Sequence, residues 1–248
     1  MWDNARAMRR LSSWLIFLVV LILLGAGGVW VMNSPYFPIK QVKIDGEITR
    51  SNEQALQAVA AKYIRGNIFK ADLNGAQAAF QALPWVEKAL VRRKLPDTVE
   101  IVLEEHIPIA RWKQSGLVDS KGKIFQAATD EHFPDFDGQA GTEKLMTEHL
   151  REYQQKLEPL GISIEKLHYT PRSAWLLTLG NGIEIRLGRE HEGERLDRFI
   201  QIWPSILKAE STSLQYVDMR YRDGFAVRRK IPDPEHIIEP LPDTAEIE

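Results

Sequence analysis

From Leu11 to Met32 the chain carries no charged residue, and beyond this block the apolar positions recur first at helical spacing and then at every second residue. An uncharged run of roughly 22 residues covers about 30 Å of hydrocarbon as a helix, which predicts a transmembrane segment over 11–32. After a linker at 33–38, Val42 and Ile44 predict a strand that ends at the Asp45-Gly46 turn. Leu56, Val59, Tyr63 and Ile64 then share one helical face, opened by a Ser51/Gln54 capping box and closed by Gly66. Leu73, Ala76, Phe80 and Leu83 mark a second helix, with Asp72 as N-cap and Pro84 as its stop. Alternation takes over at 86–94 and 98–105, where Val99, Ile101 and Leu103 fall on one face and Glu100 and Glu104 on the other. Leu95-Pro96-Asp97 makes the turn between them.

The order β-α-α-β-β over 39–106 predicts an α+β unit whose sheet is covered on one face by two helices, with the other face and the edges left for partners. A second domain is predicted over 107–230. Short strand-like pieces run through Ile109 to Trp112, Leu117 to Asp119 and Ile124-Phe125, and Asp130 to Gly141 reads as a loop. Leu145, Met146, Leu150, Tyr153 and Leu157 form a helical stripe facing a core. Trp175 to Leu179 and Ile183 to Leu187 flank Gly180-Asn181-Gly182, which predicts an antiparallel hairpin because glycine and asparagine tolerate positive φ. Leu196, Phe199, Ile200, Trp203 and Leu207 mark another helix, kinked at Pro204, before strands at 215–220 and 225–227. The second domain is thus mainly antiparallel β with helices. Residues 231–248, rich in proline and acidic side chains, predict a disordered tail.

Composition sharpens this picture. An apolar content of 44% rules out a largely disordered chain, and a net charge of -2 gives no basic excess to steer it to nucleic acid. Without any cysteine, disulfide scaffolds, thiolate nucleophiles and the common structural zinc sites are excluded. Arg6, Arg9 and Arg10 precede the apolar run and no basic residue follows until Lys40, so residues 1–10 are expected in the cytoplasm and the bulk of the chain outside. A cleaved signal peptide is the competing reading. The length of the run and the lack of an A-x-A site in Asn33-Ser34-Pro35-Tyr36-Phe37-Pro38 favour an anchor.

Constellations for catalysis are poor. His191-Glu192 begins an HExxH pattern, but Arg195 stands at the second histidine position. S-x-x-K occurs at Ser120/Lys123, Ser163/Lys166 and Ser205/Lys208, without the S-D-N and K-T-G elements that complete such sites. No phosphate-binding loop, GxSxG elbow or dinucleotide fingerprint occurs, the only glycine cluster, Gly25-Ala26-Gly27-Gly28, lying in the span. Glu104, Glu105 and His106 are neighbours on a strand and point to alternate faces. Arg92-Arg93-Lys94 likewise alternates and forms no dense patch. The segment 216–230 combines a final strand with Arg220, Tyr221, Phe225 and a basic end, residue types suited to a partner at a sheet edge.

Several stretches together, LPWVEKALVRRKLPDTVEIVLEEHIPIARW, LVDSKGKIF, WLLTLGNGIEIRLGR with RLDRFIQIWP, and YVDMRYRDG, resemble the FtsQ/DivIB family of bacterial cell-division proteins. The order and size of the first domain resemble a POTRA domain. The resemblance implies a POTRA domain followed by a β domain, no enzyme activity, no cofactor, and a divisome scaffold of the inner membrane that links early and late division proteins at the septum. It implies that the last strands receive the periplasmic part of FtsB, which comes with FtsL, at positions matching Arg220, Tyr221, Asp223 and Gly224, with Arg172 before the hairpin. It also implies FtsK-dependent recruitment through the POTRA strand that contains Val91 and Arg93. Asp223 departs from the small polar residue of relatives, and Arg228-Arg229 from a Gly-Trp pair, which predicts more salt-sensitive contacts with a more acidic partner. A POTRA-type chaperone for exported chains and a periplasmic hydrolase are the alternatives.

Overall fold

The computed structural model describes residues 5–113 and 115–230, and the predicted tail at 231–248 lies outside the described residues. Helix α1 (Ala5–Asn33) contains a 25-residue stretch, Met8–Met32, long and apolar enough to cross a membrane and with none of it buried in protein. At 1.5 Å per residue this stretch is about 37 Å long, against a hydrocarbon thickness of about 30 Å.

Backbone contacts divide the chain into two units at His106/Ile107. The first unit adds β1 (Gln41–Asp45), α2 (Glu53–Tyr63), α3 (Leu73–Gln81), β2 (Val86–Lys94) and β3 (Thr98–Glu105). Its sheet has the order β1-β3-β2, with β1 parallel and β2 antiparallel to the central β3. Leu56 of α2 and Ala76 and Phe80 of α3 are buried against Val91, Val99, Ile101 and Leu103, the face that alternation selected. Asp72 caps α3 as expected, accepting from the Gly75 amide at 2.9 Å. The cap of α2 differs from expectation. Asn52 accepts from the Gln54 amide at 2.8 Å, while the Ser51 amide is drawn 2.7 Å from the Glu105 carboxylate at the end of β3.

The second unit is a nine-stranded mixed sheet in the order β12-β11-β10-β9-β8-β7-β4-β5-β6. Its strands are β4 (Pro108–Trp112), β5 (Gly116–Asp119), β6 (Ile124–Phe125), β7 (Asp135–Asp137), β8 (Ile164–Tyr169), β9 (Trp175–Leu179), β10 (Glu184–Gly188), β11 (Leu214–Asp218) and β12 (Ala226–Arg229). Five of the eight neighbouring pairs are antiparallel, including the β9–β10 hairpin. The remaining pairs, β4–β7, β7–β8 and β10–β11, are parallel.

Two strands depart from the sequence reading. The segment expected as a loop supplies β7, wedged between β4 and β8 with Phe136 fully buried. Strand β8 has a register shift between Ile164 and Lys166, which breaks the alternation that marks a strand.

Helices α4 (Glu143–Leu157) and α5 (Glu192–Ile202) cover one face of this sheet, where Leu150, Tyr153, Leu196 and Phe199 meet Leu167, Leu177, Ile185 and Val217. Burial of each such side chain contributes about 1.5–3 kcal/mol. After α5 the chain makes a π-helical turn over Trp203–Leu207 with Pro204 at its start, so the helix is deformed where the proline was expected to kink it. This deformation leads into β11, which carries the chain to the edge of the sheet.

Candidate functional site

β12 pairs antiparallel with β11 on one side, and no strand among the described residues pairs with its other side. Its outward backbone groups are therefore available to an incoming strand. Val227, Arg228 and Arg229 are exposed. The Arg229 guanidinium lies 2.6 Å from Glu210, whereas no ion pair engages Arg228 among the described residues.

The loop at 219–225 joins β11 to β12 and holds four of the residues singled out in the sequence. Tyr221 is 58% exposed, Asp223 is exposed and Gly224 is half-buried. Arg220 turns back onto Asp218, placing Nη2 at 2.6 Å from Oδ2 and Nε at 2.9 Å from Oδ1, and its own amide donates to Oδ1 at 3.1 Å. These bonds from the Arg220 side chain hold the Asp218 carboxyl below the usual carboxylate range, against the opposing effect of burial. Asp218 is nearly buried, while the Arg220 side chain stays 58% exposed, so the carboxylate orients a guanidinium that still faces solvent.

A second arginine shapes the loop from the helical side. Arg198 of α5 donates through Nη2 to the carbonyls of Met219 at 3.0 Å and Tyr221 at 2.9 Å, and through Nη1 to that of Arg222. One fork thus holds three successive bends of the loop, and Tyr221 is presented on a fixed backbone.

Arg172 lies in the turn between β8 and β9, which is closed by Thr170 bonding to the Ala174 amide through its side chain and to the Ala174 carbonyl through its own amide. Arg172 and Arg220 line one cavity of about 430 Å³, together with Arg186, Leu176 and Gly188. The Arg186 guanidinium lies 3.8 Å from the centre of the Tyr216 ring, a cation–π contact, and is ion-paired with Glu184 at 2.6 Å. On the α5 side of the loop a second cavity of about 460 Å³ is lined by Arg195, Arg198, Arg220, Tyr221 and Arg222, with His191 and the one acidic side chain, Glu194. Arginines thus outnumber carboxylates in the hollows on both sides of the Arg220–Arg222 loop, a setting suited to an extended, acidic chain.

Arg172, Arg220, Tyr221, Asp223 and Gly224 are accordingly brought together at one end of the sheet. Val91 and Arg93 belong to the other unit, on its edge strand β2. Val91 is buried in the core there, and Arg93 donates to the carbonyls of Ile68 at 2.7 Å and Ala71 at 3.0 Å. Sequence reasoning missed Asp218 and Arg198. Asp218 could have been found, because the strand expected over 215–220 would put residues two apart on the same face. Arg198 could not, since its partners lie 21 to 24 residues away and no local pattern links them.

The chain matches two family models: "POTRA domain, FtsQ-type" over residues 37–106 and "Cell division protein FtsQ/DivIB, C-terminal" over 110–220. It is 45% identical over 229 residues to the cell division protein FtsQ of Neisseria gonorrhoeae, covering 92% of this chain and 95% of the relative. The FtsQ of Nitrosospira multiformis is 36% identical over 233 residues, covering 92% and 99%. That of Burkholderia pseudomallei is 34% identical over 235 residues, covering 92% and 94%. With an apolar anchor helix, a POTRA unit and a mixed β unit in that order, and with relatives matched along nearly their whole length, this chain belongs to the FtsQ/DivIB family of cell-division proteins.

Proposed function

We propose that the chain is a non-catalytic assembly scaffold of the divisome that receives FtsB, accompanied by FtsL, at the β12 edge, and so links early to late division proteins. The observation that carries this reading is the outer side of β12, which no strand among the described residues pairs, beside Tyr221 on a loop held in shape by Arg198. An incoming strand would gain backbone hydrogen bonds from the edge, an aromatic contact from Tyr221, and charge-assisted bonds from Arg172 and Arg220 to its acidic side chains. Gly224 and Asp223 border the path. Arg228 adds a charge that salt screens.

On this reading the N-terminus is cytoplasmic and both units are periplasmic, in line with Arg6, Arg9 and Arg10 preceding the uncharged run at 11–32, and the chain acts at the septum. The reading assigns FtsK-dependent recruitment to β2. Because Val91 is buried and Arg93 is engaged by the backbone of its own unit, they would act by holding that edge in place rather than by direct contact.

The test is calorimetry of the full chain in detergent with a peptide of the cognate FtsB periplasmic segment. Wild type should bind, with affinity falling as salt is added, and Tyr221→Ala should lose about 2 kcal/mol, the scale of an interface hot spot. Equal affinity for unrelated extended peptides would instead favour the chaperone alternative.

A further inference from the structure

The segment that leaves α1 is fastened to the POTRA unit. Ser34 is buried, and its amide still bonds back to the Val31 carbonyl at 3.2 Å, which prolongs the helix end. Asn67 Nδ2 donates to the Ser34 carbonyl at 2.7 Å, the Ile68 amide to the Phe37 carbonyl at 3.0 Å, and the Ile39 amide to the Gly66 carbonyl at 2.9 Å. The Phe37 and Phe69 rings meet edge to face at 5.6 Å. From the other side Arg93 holds the same loop through the Ile68 and Ala71 carbonyls. Gly66, at φ +81°, allows the chain to turn into this loop from α2.

These bonds set a depth. Met32 is the last apolar residue of the span, and Ser34 lies two residues further, about 3 Å along the helix axis. Tilting the helix only shortens that rise. The headgroup layer beyond the hydrocarbon is about 6 Å thick on each side, so a loop bonded to Ser34 sits at headgroup depth. Arg65 and Lys70 flank the loop; both are exposed, and neither makes an ion pair among the described residues. Tyr36 is 77% exposed, and its ring centre lies 6.5 Å from that of Trp30.

We propose that Arg65 to Lys70, with Tyr36 and Phe37, forms a membrane-surface contact in which the two basic side chains take the phosphates of anionic phospholipids in the leaflet where the chain emerges. Aromatic rings at the water boundary favour the headgroup zone, and Lys and Arg extend their charges toward lipid phosphates while their stems remain on apolar surface. The inference rests on α1 spanning the membrane and is independent of what binds β12.

Because the chain has no cysteine, single labels can be placed cleanly. Pro38→Cys, at an exposed position bridged to Asn67 of the loop, and, at the far end of α2, Glu53→Cys are each labelled with a fluorophore in the full chain. Each is reconstituted in nanodiscs of phosphatidylcholine alone or mixed equally with phosphatidylglycerol, doped with a headgroup-nitroxide lipid that quenches at short range. Quenching at position 38 should exceed that at 53 several-fold and should rise with phosphatidylglycerol. Arg65→Glu, at an exposed site whose change leaves the core untouched, should cancel that rise. Equal quenching at the two positions, or quenching at 38 indifferent to phosphatidylglycerol or to Arg65→Glu, overturns the proposal.

Discussion

Arg220 and Asp218, two residues apart at the end of β11, are joined by a forked ion pair in which Nη2 lies 2.6 Å from Oδ2 and Nε 2.9 Å from Oδ1. The pair fixes the start of the loop that carries Tyr221, and it ties the shape of the β12 edge to the charge of one carboxylate.

That dependence has a sign. The Asp218 carboxyl is lowered in the folded protein, first by the Arg220 hydrogen bonds and against burial. A lowered carboxyl binds fewer protons folded than unfolded, so its stabilisation is complete above the ordinary carboxylate value of about 4 and is lost as pH falls through the depressed value. Exchange of the Arg220 amide should therefore quicken at acid pH beyond its intrinsic trend. Asp218→Asn should show the quick exchange already at neutral pH, and identical profiles for the two proteins would contradict the account.

Arg198 is expected to matter more than its place on a surface helix suggests. Arg198→Ala removes three bonds to loop carbonyls, and a loss of about 2 kcal/mol in unfolding free energy is expected, with faster amide exchange across the loop. Arg198→Lys should recover little, because an ammonium cannot reproduce the planar fork. Full recovery by lysine would mean that charge alone holds the loop.

Gly224 offers a cleaner separation of folding from binding. Its backbone is not left-handed, and a Cβ added there would meet nothing within 4 Å, so the fold itself does not call for glycine. Gly224→Ala should change stability by no more than about 0.5 kcal/mol. If a partner backbone approaches this position, the same variant should weaken FtsB-segment binding about tenfold, or about 1.4 kcal/mol, in calorimetry. Unchanged affinity would move the partner's path away from Gly224.

Elements governed by local rules could be read from the sequence. The β9–β10 hairpin follows from Gly180-Asn181-Gly182, where Gly182 does take a positive φ of 82°, and Asp72 caps α3 because a carboxylate stands three residues before an orphan amide. Where distant contacts decide, reading failed. Ser51 and Asn52 are both competent caps for α2; Asn52 takes the role, and the Ser51 amide is held instead by Glu105, 54 residues away, a contact no local pattern announces. β7 is only three residues long and exists because β4 and β8 bracket it. The same division runs through the site: the exposed Tyr221 and the edge character of the last strand were visible, while the Arg198 clamp depends on the fold bringing α5 beside the loop.

Pairing of a partner strand with β12 can be read from amide hydrogen–deuterium exchange of the full chain with and without the FtsB segment. New protection is expected across Ala226–Arg229 and the adjoining loop from Arg220 to Gly224. If saturating partner left those amides unprotected and protected others, β12 would not be the docking edge.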